Sequence, residues 1–365
     1  MQRIEELETP AIVVDADILE ANIRDLSNYA AAHHLNLRPH TKTHKIPEIA
    51  HMQVAAGCSG ITVAKSGEAQ VMADAGLDDI LVHYPVLGAA KLERLAEIAR
   101  ARRVTLAIDS LVTAESVSAA ASAKGSTIGL LVEFDVGLRR CGLESPEDGK
   151  ALAIAIQKLP GVCFRGISVY PGHIKSAPAN QGPALEELSA RIAEITASLS
   201  GAGIACEIVS GGSTPTAYQS HQVAGLTEIR PGTYAFNDRN TLDGGVCSLS
   251  QCALSVHVTV VSTAVPGRAM VDGGSKTFSG DRLSSGAKEG FGYVVNDPSI
   301  RFVAMSEEHG HLDLSESDDR PKIGDRLTII PNHVCTCVNM HSQIYYHRGG
   351  IVEGVWEVAA RGRVQ

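Results

Sequence analysis

Apolar and polar positions follow two different rhythms along this chain. Up to about residue 240, short apolar runs alternate with longer segments whose apolar residues recur every three or four positions. Ala11-Ile-Val-Val-Asp15 predicts a strand, with Asp15 and Asp17 in the N-cap region of a helix. Ile18, Leu19, Ile23, Leu26 and Tyr29 then fall at helical spacing over 18–32. From there the pattern predicts strands over 36–38, 60–64, 79–83, 104–109, 127–135, 165–170, 205–209 and 228–230. Helices are predicted over 47–56, 67–75, 89–101, 112–123, 147–159 and 184–202. Counted from Asn36, that is eight strands joined by helices. Strand–helix alternation implies parallel strands, and eight such units imply a closed (β/α)8 barrel, a TIM barrel. An open doubly wound sheet needs a glycine fingerprint after its first strand, and none is present.

Beyond that point the rhythm changes to period two. The stretches 253–264, 268–271, 292–294, 302–305, 326–330, 343–346 and 352–358 are short and separated by Gly, Asp and Pro turns. The expected division is an α/β barrel over 1–240 and a C-terminal all-β domain over 241–365.

Composition narrows the class. Apolar residues at 44% and charged residues at 20% suit a core-forming globular protein. A net charge of −9 argues against a general nucleic-acid binder. The N-terminal MQRIEELETP has no apolar signal segment, and no run approaches a membrane span, so a cytoplasmic protein is expected. The eight cysteines are scattered, which in a cytosolic chain suggests thiols rather than disulfides.

The densest chemistry lies in Asn36-Leu-Arg-Pro-His-Thr-Lys-Thr-His-Lys45. A like charge and partial burial both lower a lysine's pKa, and a lysine so tuned attacks a carbonyl to form a Schiff base. Lys42 is the candidate for carrying an aldehyde cofactor, pyridoxal phosphate (PLP); the competing reading is a solvated basic loop. The barrel favours the first, because catalytic groups sit at the C-terminal ends of barrel strands. The same rule selects Asp135, Arg140, Tyr170, His173 and Ser210-Gly-Gly-Ser-Thr214. The last can cradle a phosphate on backbone N–H groups, strengthened if a helix starts after Pro215, or can be a small-residue turn. Arg140 can bond the cofactor's phenolate oxygen or a substrate carboxylate. Tyr170 can face the ring or simply pack, and His44, His83 and His173 are acid/base candidates. In Pro331-Asn-His-Val-Cys335, a histidine and a cysteine two apart on a strand share one face and suit a divalent metal such as Zn²⁺. The alternative is a buried cysteine beside a hydrogen-bonded histidine. Cys337 would share that face, and Glu308, His309 and His341 are further candidates to line it.

These motifs resemble the fold-type III PLP enzymes of the D-threonine aldolase and D-serine dehydratase group, whose barrel is related to alanine racemase. The resemblance runs from Thr9-Pro10 to Trp356-Glu-Val-Ala-Ala-Arg-Gly362. Its most specific pieces are Arg38-Pro-His-Thr-Lys-Thr-His-Lys45, Gly211-Gly-Ser-Thr-Pro215, Arg230-Pro-Gly-Thr-Tyr234, Glu308-His-Gly310 and His333-Val-Cys335. It implies that Lys42 is the Schiff-base lysine and that His333 and Cys335 bind Zn²⁺ or Mn²⁺. Gly211, Gly212, Ser213 and Thr214, with Gly232, Thr233 and Tyr234, would hold the phosphate. Arg140 would address the ring oxygen, and Tyr170 the ring. It further implies a homodimer, an active site between barrel and β domain, and a small D-amino acid as substrate.

The implied reaction is lysis of a D-3-hydroxy amino acid, first of all retro-aldol cleavage of D-threonine to glycine and an aldehyde. The alternatives are D-serine or D-3-hydroxyaspartate dehydration, and amino-acid racemisation. His-x-Cys, Gly-Ser-Thr-Pro and Asp79-Ile-Leu-Val-His-Tyr-Pro85 resemble the dehydratases. Val355–Gly362 and Asn339-Met-His341 resemble the aldolases, which often carry Asp where Cys335 stands.

Overall fold

The computed structural model describes residues 2–284, 290–318 and 320–365. The chain divides into two compact units. One comprises Arg24–Lys42, Pro47–Gly232 and Gly362–Gln365; the other comprises Met1–Ile23, Thr43–Ile46 and Thr233–Arg361. Strands are numbered along the whole chain.

The strand β1, Ala11–Asp15, is followed by helix α1, Ala16–Ala32. The barrel unit contains β2 (Asn36–Leu37), β3 (Ile61–Val63), β4 (Asp79–Val82), β5 (Arg103–Ile108), β6 (Ile128–Phe134), β7 (Val162–Val169), β8 (Ile208–Gly211) and β9 (Glu228–Ile229). They form one eight-stranded parallel sheet in the order β2-β9-β8-β7-β6-β5-β4-β3. The two ends meet: His40 bridges Thr62 in parallel, and Thr62 N donates to Pro39 O at 2.7 Å. The expected eight-stranded barrel is therefore present.

Helices α2 (Pro47–Ala55), α3 (Ser66–Asp74), α4 (Ala89–Ile98), α5 (Leu111–Lys124), α6 (Pro146–Ile156) and α7 (Gly182–Ser200) lie between the strands. Their limits follow local chemistry. The Ser110 hydroxyl caps α5 at Thr113 N, and Gly125 ends it in the left-handed conformation that glycine adopts without a Cβ penalty. α7 buries Leu185, Leu188, Ile192, Ile195 and Leu199, one stripe of a 3.6-residue period.

The second unit is built on a nine-stranded sheet. Besides β1 it contains β10 (Leu254–Ser262), β11 (Arg268–Val271), β12 (Gly292–Val294), β13 (Arg301–Met305), β14 (Gly310–Asp313), β15 (Arg326–Pro331), β16 (Gln343–Arg348) and β17 (Ile351–Glu357). The order is β11-β14-β13-β12-β15-β10-β1-β16-β17, with β11 also pairing with β10. Every pairing is antiparallel except β1 with β16.

The division differs from the expected boundary at 240 in two ways. The strand at Ala11–Asp15 belongs to the all-β unit, where Val13 stands opposite Ser255 on one side and Tyr345 on the other. The C-terminal crossing falls at Gly232/Thr233. The eight expected barrel strands start at Asn36, yet the expected barrel domain starts at residue 1; the pairing partners of Ala11–Asp15, far away in sequence, put it in the other sheet. Among the described residues, no helix is long and apolar enough to cross a membrane.

Candidate active site

Lys42 lies in the turn Thr41–Thr43 that leaves β2 at its C-terminal end. The turn is pinned on three sides. Thr41 Oγ1 donates to Thr62 O at 3.1 Å, Lys42 N donates to His40 Nδ1 at 3.4 Å, and His40 N donates to Pro231 O at 2.9 Å. Lys42 itself is half-buried.

Two imidazoles flank it electrostatically. Burial holds His40 well below the usual histidine range, with the charge of Lys42 next in importance. Burial does the same to His83, followed there by Arg230 and Arg140. Arg230 is buried, and its Nη2 donates to His83 Nε2 and to Val169 O, both at 2.9 Å. Its own pKa is pulled down to about 10 by burial, with Glu228 and Glu133 opposing. This mouth therefore offers an amine, two guanidinium groups and two neutral imidazoles, a donor set suited to an anionic, carbonyl-bearing ligand.

Beneath it runs a buried polar chain that the sequence reading missed. Arg230 Nη1 donates to Ser210 Oγ at 2.5 Å, and Ser210 Oγ donates to Glu228 Oε1 at 2.5 Å. Glu228 Oε2 and Asp79 Oδ1 each pair with Arg38 at 2.7 Å. The available signal was the position of Arg38, Asp79, Ser210 and Glu228 inside or beside short apolar strands, where a charge must find a partner.

The other expected mouth residues are partly brought together. The Arg140 guanidinium lies 4.6 Å from the centroid of the Tyr170 ring, a cation–π contact, and its Nη2 is 3.9 Å from Glu133 Oε1. His173 is exposed, its ring packed over Gly137. Asp135 accepts from Gly137 N and Arg139 N, so its carboxylate shapes the loop.

In the Gly211–Thr214 loop, a Cβ on Gly211 would stand 2.8 Å from Leu226 Cδ1. Gly212 has φ +76°, and a Cβ there would lie 3.2 Å from Ile229. Two glycines are therefore required by close approach and backbone conformation. Gly232 N donates to Thr214 Oγ1 at 3.3 Å, which joins the two segments expected to hold a phosphate. The segment after Pro215 is a short 3-10 helix, Ala217–Gln222, rather than the α-helix that would strengthen the cradle. Ser213 N is already bonded to Thr216 Oγ1 at 3.1 Å.

The remaining expected residues lie in the all-β unit. His44 is buried against Phe236 at 6.4 Å between ring centroids, and its Nδ1 accepts from Ile46 N at 3.1 Å. Tyr234 is buried as well. His333 and Cys335 are not on a strand: β15 ends at Pro331, His333 is the N-cap of helix α8 (Val334–Met340), and Cys335 lies in its first turn.

Asp238 Oδ2 accepts from His333 Nδ1 at 3.2 Å and from Val334 N at 3.1 Å. Its other oxygen, Oδ1, accepts from Thr241 N at 3.0 Å, capping the short helix Arg239–Asp243. A carboxylate on Nδ1 is the usual support of a metal-binding histidine, and it leaves the proton off Nε2 in the neutral ring. The Cys335 sulfur is hydrogen-bonded to His333 and lies 3.2 Å from Thr43 Oγ1. The Cys335 thiolate, then Asp238, raise the His333 pKa to about 11 against the effect of burial. The negative field that holds a proton there suits a divalent cation as well.

Cys337 does not join the pair. It is fully buried, its thiol is pushed far up by burial, and it donates to Thr277 O, which also meets His341 Nε2. Glu308 is taken by Lys276 at 2.8 Å, and His309 is exposed. Among the described residues, no group of three or more His, Cys, Asp or Glu side chains is arranged to hold a metal.

A mouth lysine on a parallel barrel, followed by an all-β unit, defines the architecture of the alanine racemase-like PLP enzymes. Residues 14–240 match the family "Alanine racemase, N-terminal domain", and residues 253–347 match the "Putative serine dehydratase domain". The chain is 35% identical to a D-threonine aldolase of Arthrobacter sp, over 98% of this chain and 93% of that protein. Among solved structures, the D-threonine aldolase from Filomicrobium marinum superposes with a TM-score of 0.91 at 31% identity, covering 100% of both chains. A D-threo-3-hydroxyaspartate dehydratase with a cysteine replaced by alanine, in its metal-free form, gives a TM-score of 0.88 at 31% identity over 98% of this chain and 99% of that one. The chain belongs to this family of PLP-dependent lyases.

Proposed function

We propose that the protein is a metal-assisted lyase of D-3-hydroxy amino acids, and that its leading reaction is retro-aldol cleavage of D-threonine-like substrates. The observation that carries this reading is Asp238 seating His333 beside Cys335, in a chain whose relatives include a D-threonine aldolase. PLP, when bound, supplies an electron sink for charge developing at the substrate's Cα. Lys42 is the residue whose amine would hold the cofactor's aldehyde carbon. Gly211–Thr214 and Gly232 would hold its phosphate, and Arg140 with Tyr170 would address its ring.

His333 and Cys335 would hold Zn²⁺ or Mn²⁺, which lowers the pKa of a bound hydroxyl. Arg140 and Arg230 favour a substrate carboxylate. His173, exposed at the barrel mouth, is the candidate to receive the β-hydroxyl proton in aldol cleavage. Lys42 Nζ is the group that would return a proton to Cα.

Cys335 favours a second reading, dehydration to a 2-oxo acid and ammonia, because the resemblance associates His-x-Cys with dehydratases. In that case Lys42 Nζ removes the Cα proton and hydroxide leaves. Incubation with D-threonine and with D-serine, with and without EDTA, separates the readings. Glycine plus acetaldehyde that disappears with EDTA supports cleavage. A 2-oxo acid plus ammonia supports dehydration, and inversion that survives EDTA would replace both with racemisation. The resemblance also supports a homodimer, which light scattering on the eluted protein tests.

A further inference from the structure

Two thiols of the all-β unit have no part in this chemistry. Cys247 and Cys252 flank one tight turn, and each perturbs the other's ionisation. The chain between them is folded back by the 3-10 turn Leu249–Gln251, closed at both ends by Ser248 and Gln251: Gln251 N donates to Ser248 O at 3.0 Å, and Ser248 N donates to Gln251 Oε1 at 2.9 Å. Each sulfur is held in place. Cys252 Sγ lies 3.9 Å from Ser248 O, and Cys247 Sγ lies 3.5 Å from Thr241 Oγ1. Cys247 is half-buried, whereas Cys252 is buried. Side-chain interactions with Cys252 and Thr241 lower the Cys247 pKa, making it the first of the pair to ionise. Cys58, Cys163 and Cys206 differ: burial pushes each of them up.

We propose that Cys247 and Cys252 form a peroxide-sensitive dithiol, a modification site at which a hydroperoxide closes a disulfide. The Cys247 thiolate attacks one peroxide oxygen; an S–O bond forms, the O–O bond breaks, and hydroxide leaves and is protonated to water. The Cys252 sulfur then attacks the Cys247 sulfur; an S–S bond forms, the S–O bond breaks, and the second oxygen leaves as water with the Cys252 proton. Two thiols and one hydrogen peroxide thus give one disulfide and two waters: the sulfurs lose two electrons and the peroxide gains them. The cross-link ties together the segment that begins at Asp238 and Thr241 and ends where Ala253 N bonds Phe236 O at 2.7 Å, ahead of β10.

The test treats the reduced full-length protein with equimolar hydrogen peroxide, then alkylates, digests and maps the cysteines by mass. The expected result is loss of two hydrogens within the peptide spanning 247–252, disappearance of its alkylated form, and a thermal midpoint raised by a few degrees that dithiothreitol restores. Alkylation of both Cys247 and Cys252 after other cysteines have been oxidised would overturn the proposal. In Cys252→Ser, with its fold checked by circular dichroism, dimedone should label Cys247. In Cys247→Ser, Cys252 should remain unoxidised. An unlabelled Cys247 in the folded first variant likewise overturns it.

Discussion

Arg230 Nη2 stands 2.9 Å from His83 Nε2 inside the barrel. A guanidinium has only donors, so the His83 nitrogen is the acceptor, and its proton sits on Nδ1. His83 is thus neutral by chemistry as well as by burial, and Arg230 is held by a fixed tautomer rather than by a counter-charge alone.

The first prediction concerns pH. His83 and His40 are held well below 6.5, and His257 falls to about 4, in each case mainly by burial. Their folded pKa values are depressed, so above 6.5 they cost nothing. As pH falls below 6.5, the unfolded chain takes up protons that the folded chain refuses, and stability drops. The drop is up to about 1.4 kcal/mol per pH unit for each such histidine. Glu133, raised by burial, works in the opposite direction. His83→Gln keeps an acceptor for Arg230 but cannot titrate. Its unfolding free energy in urea between pH 6.5 and 5 should fall less steeply than that of the wild type, by about one histidine's slope.

Arg38 tests the polar chain beneath the mouth. It bridges Glu228 and Asp79, both at 2.7 Å and nearly out of solvent. Arg38→Met leaves Glu228 buried without its cation and should cost about 3–5 kcal/mol in urea unfolding. Adding Glu228→Gln should recover part of that loss. If the double variant is no more stable than the single one, the two groups are not coupled.

Asp238 bears on the metal pair proposed at His333 and Cys335. Asp238→Asn weakens the hold on His333 Nδ1 while retaining a polar side chain at the cap of Arg239–Asp243. Zn²⁺ affinity, measured by competition with a chromophoric chelator, should fall about 10–100-fold, the usual effect of losing an outer-shell carboxylate. An unchanged affinity would mean that the ion does not use His333.

Lys42→Ala should remove the Schiff-base absorbance of the PLP-loaded protein. His333→Ala should leave that absorbance in place and abolish only the EDTA-sensitive part of turnover. A full Schiff-base band in Lys42→Ala would move the cofactor's attachment to another lysine.

Much of the architecture was legible because it is written locally. Strand–helix alternation is a short-range feature, and α5 and α7 begin and end within two residues of the expected 112–123 and 184–202. The position of Lys42 after the first barrel strand followed from the same alternation. The strand β14, Gly310–Asp313, was missed, being short and recognisable mainly through its pairing with β11 and β13.

What the chain alone determined was the rhythm of its elements, the lysine at the first barrel strand's end and the His333–Cys335 spacing. Only the tertiary structure decided which sheet Ala11–Asp15 enters, because that choice rests on ladders to residues more than two hundred positions away. The same holds for Val334–Met340. Its β-branched sequence suggests a strand, yet Asp238 accepts the Val334 N–H and His333 Nδ1 and so starts a helix. A carboxylate distant in sequence overrode a local preference, because a buried hydrogen bond to a charged group outweighs the few tenths of a kcal/mol by which residues differ in propensity.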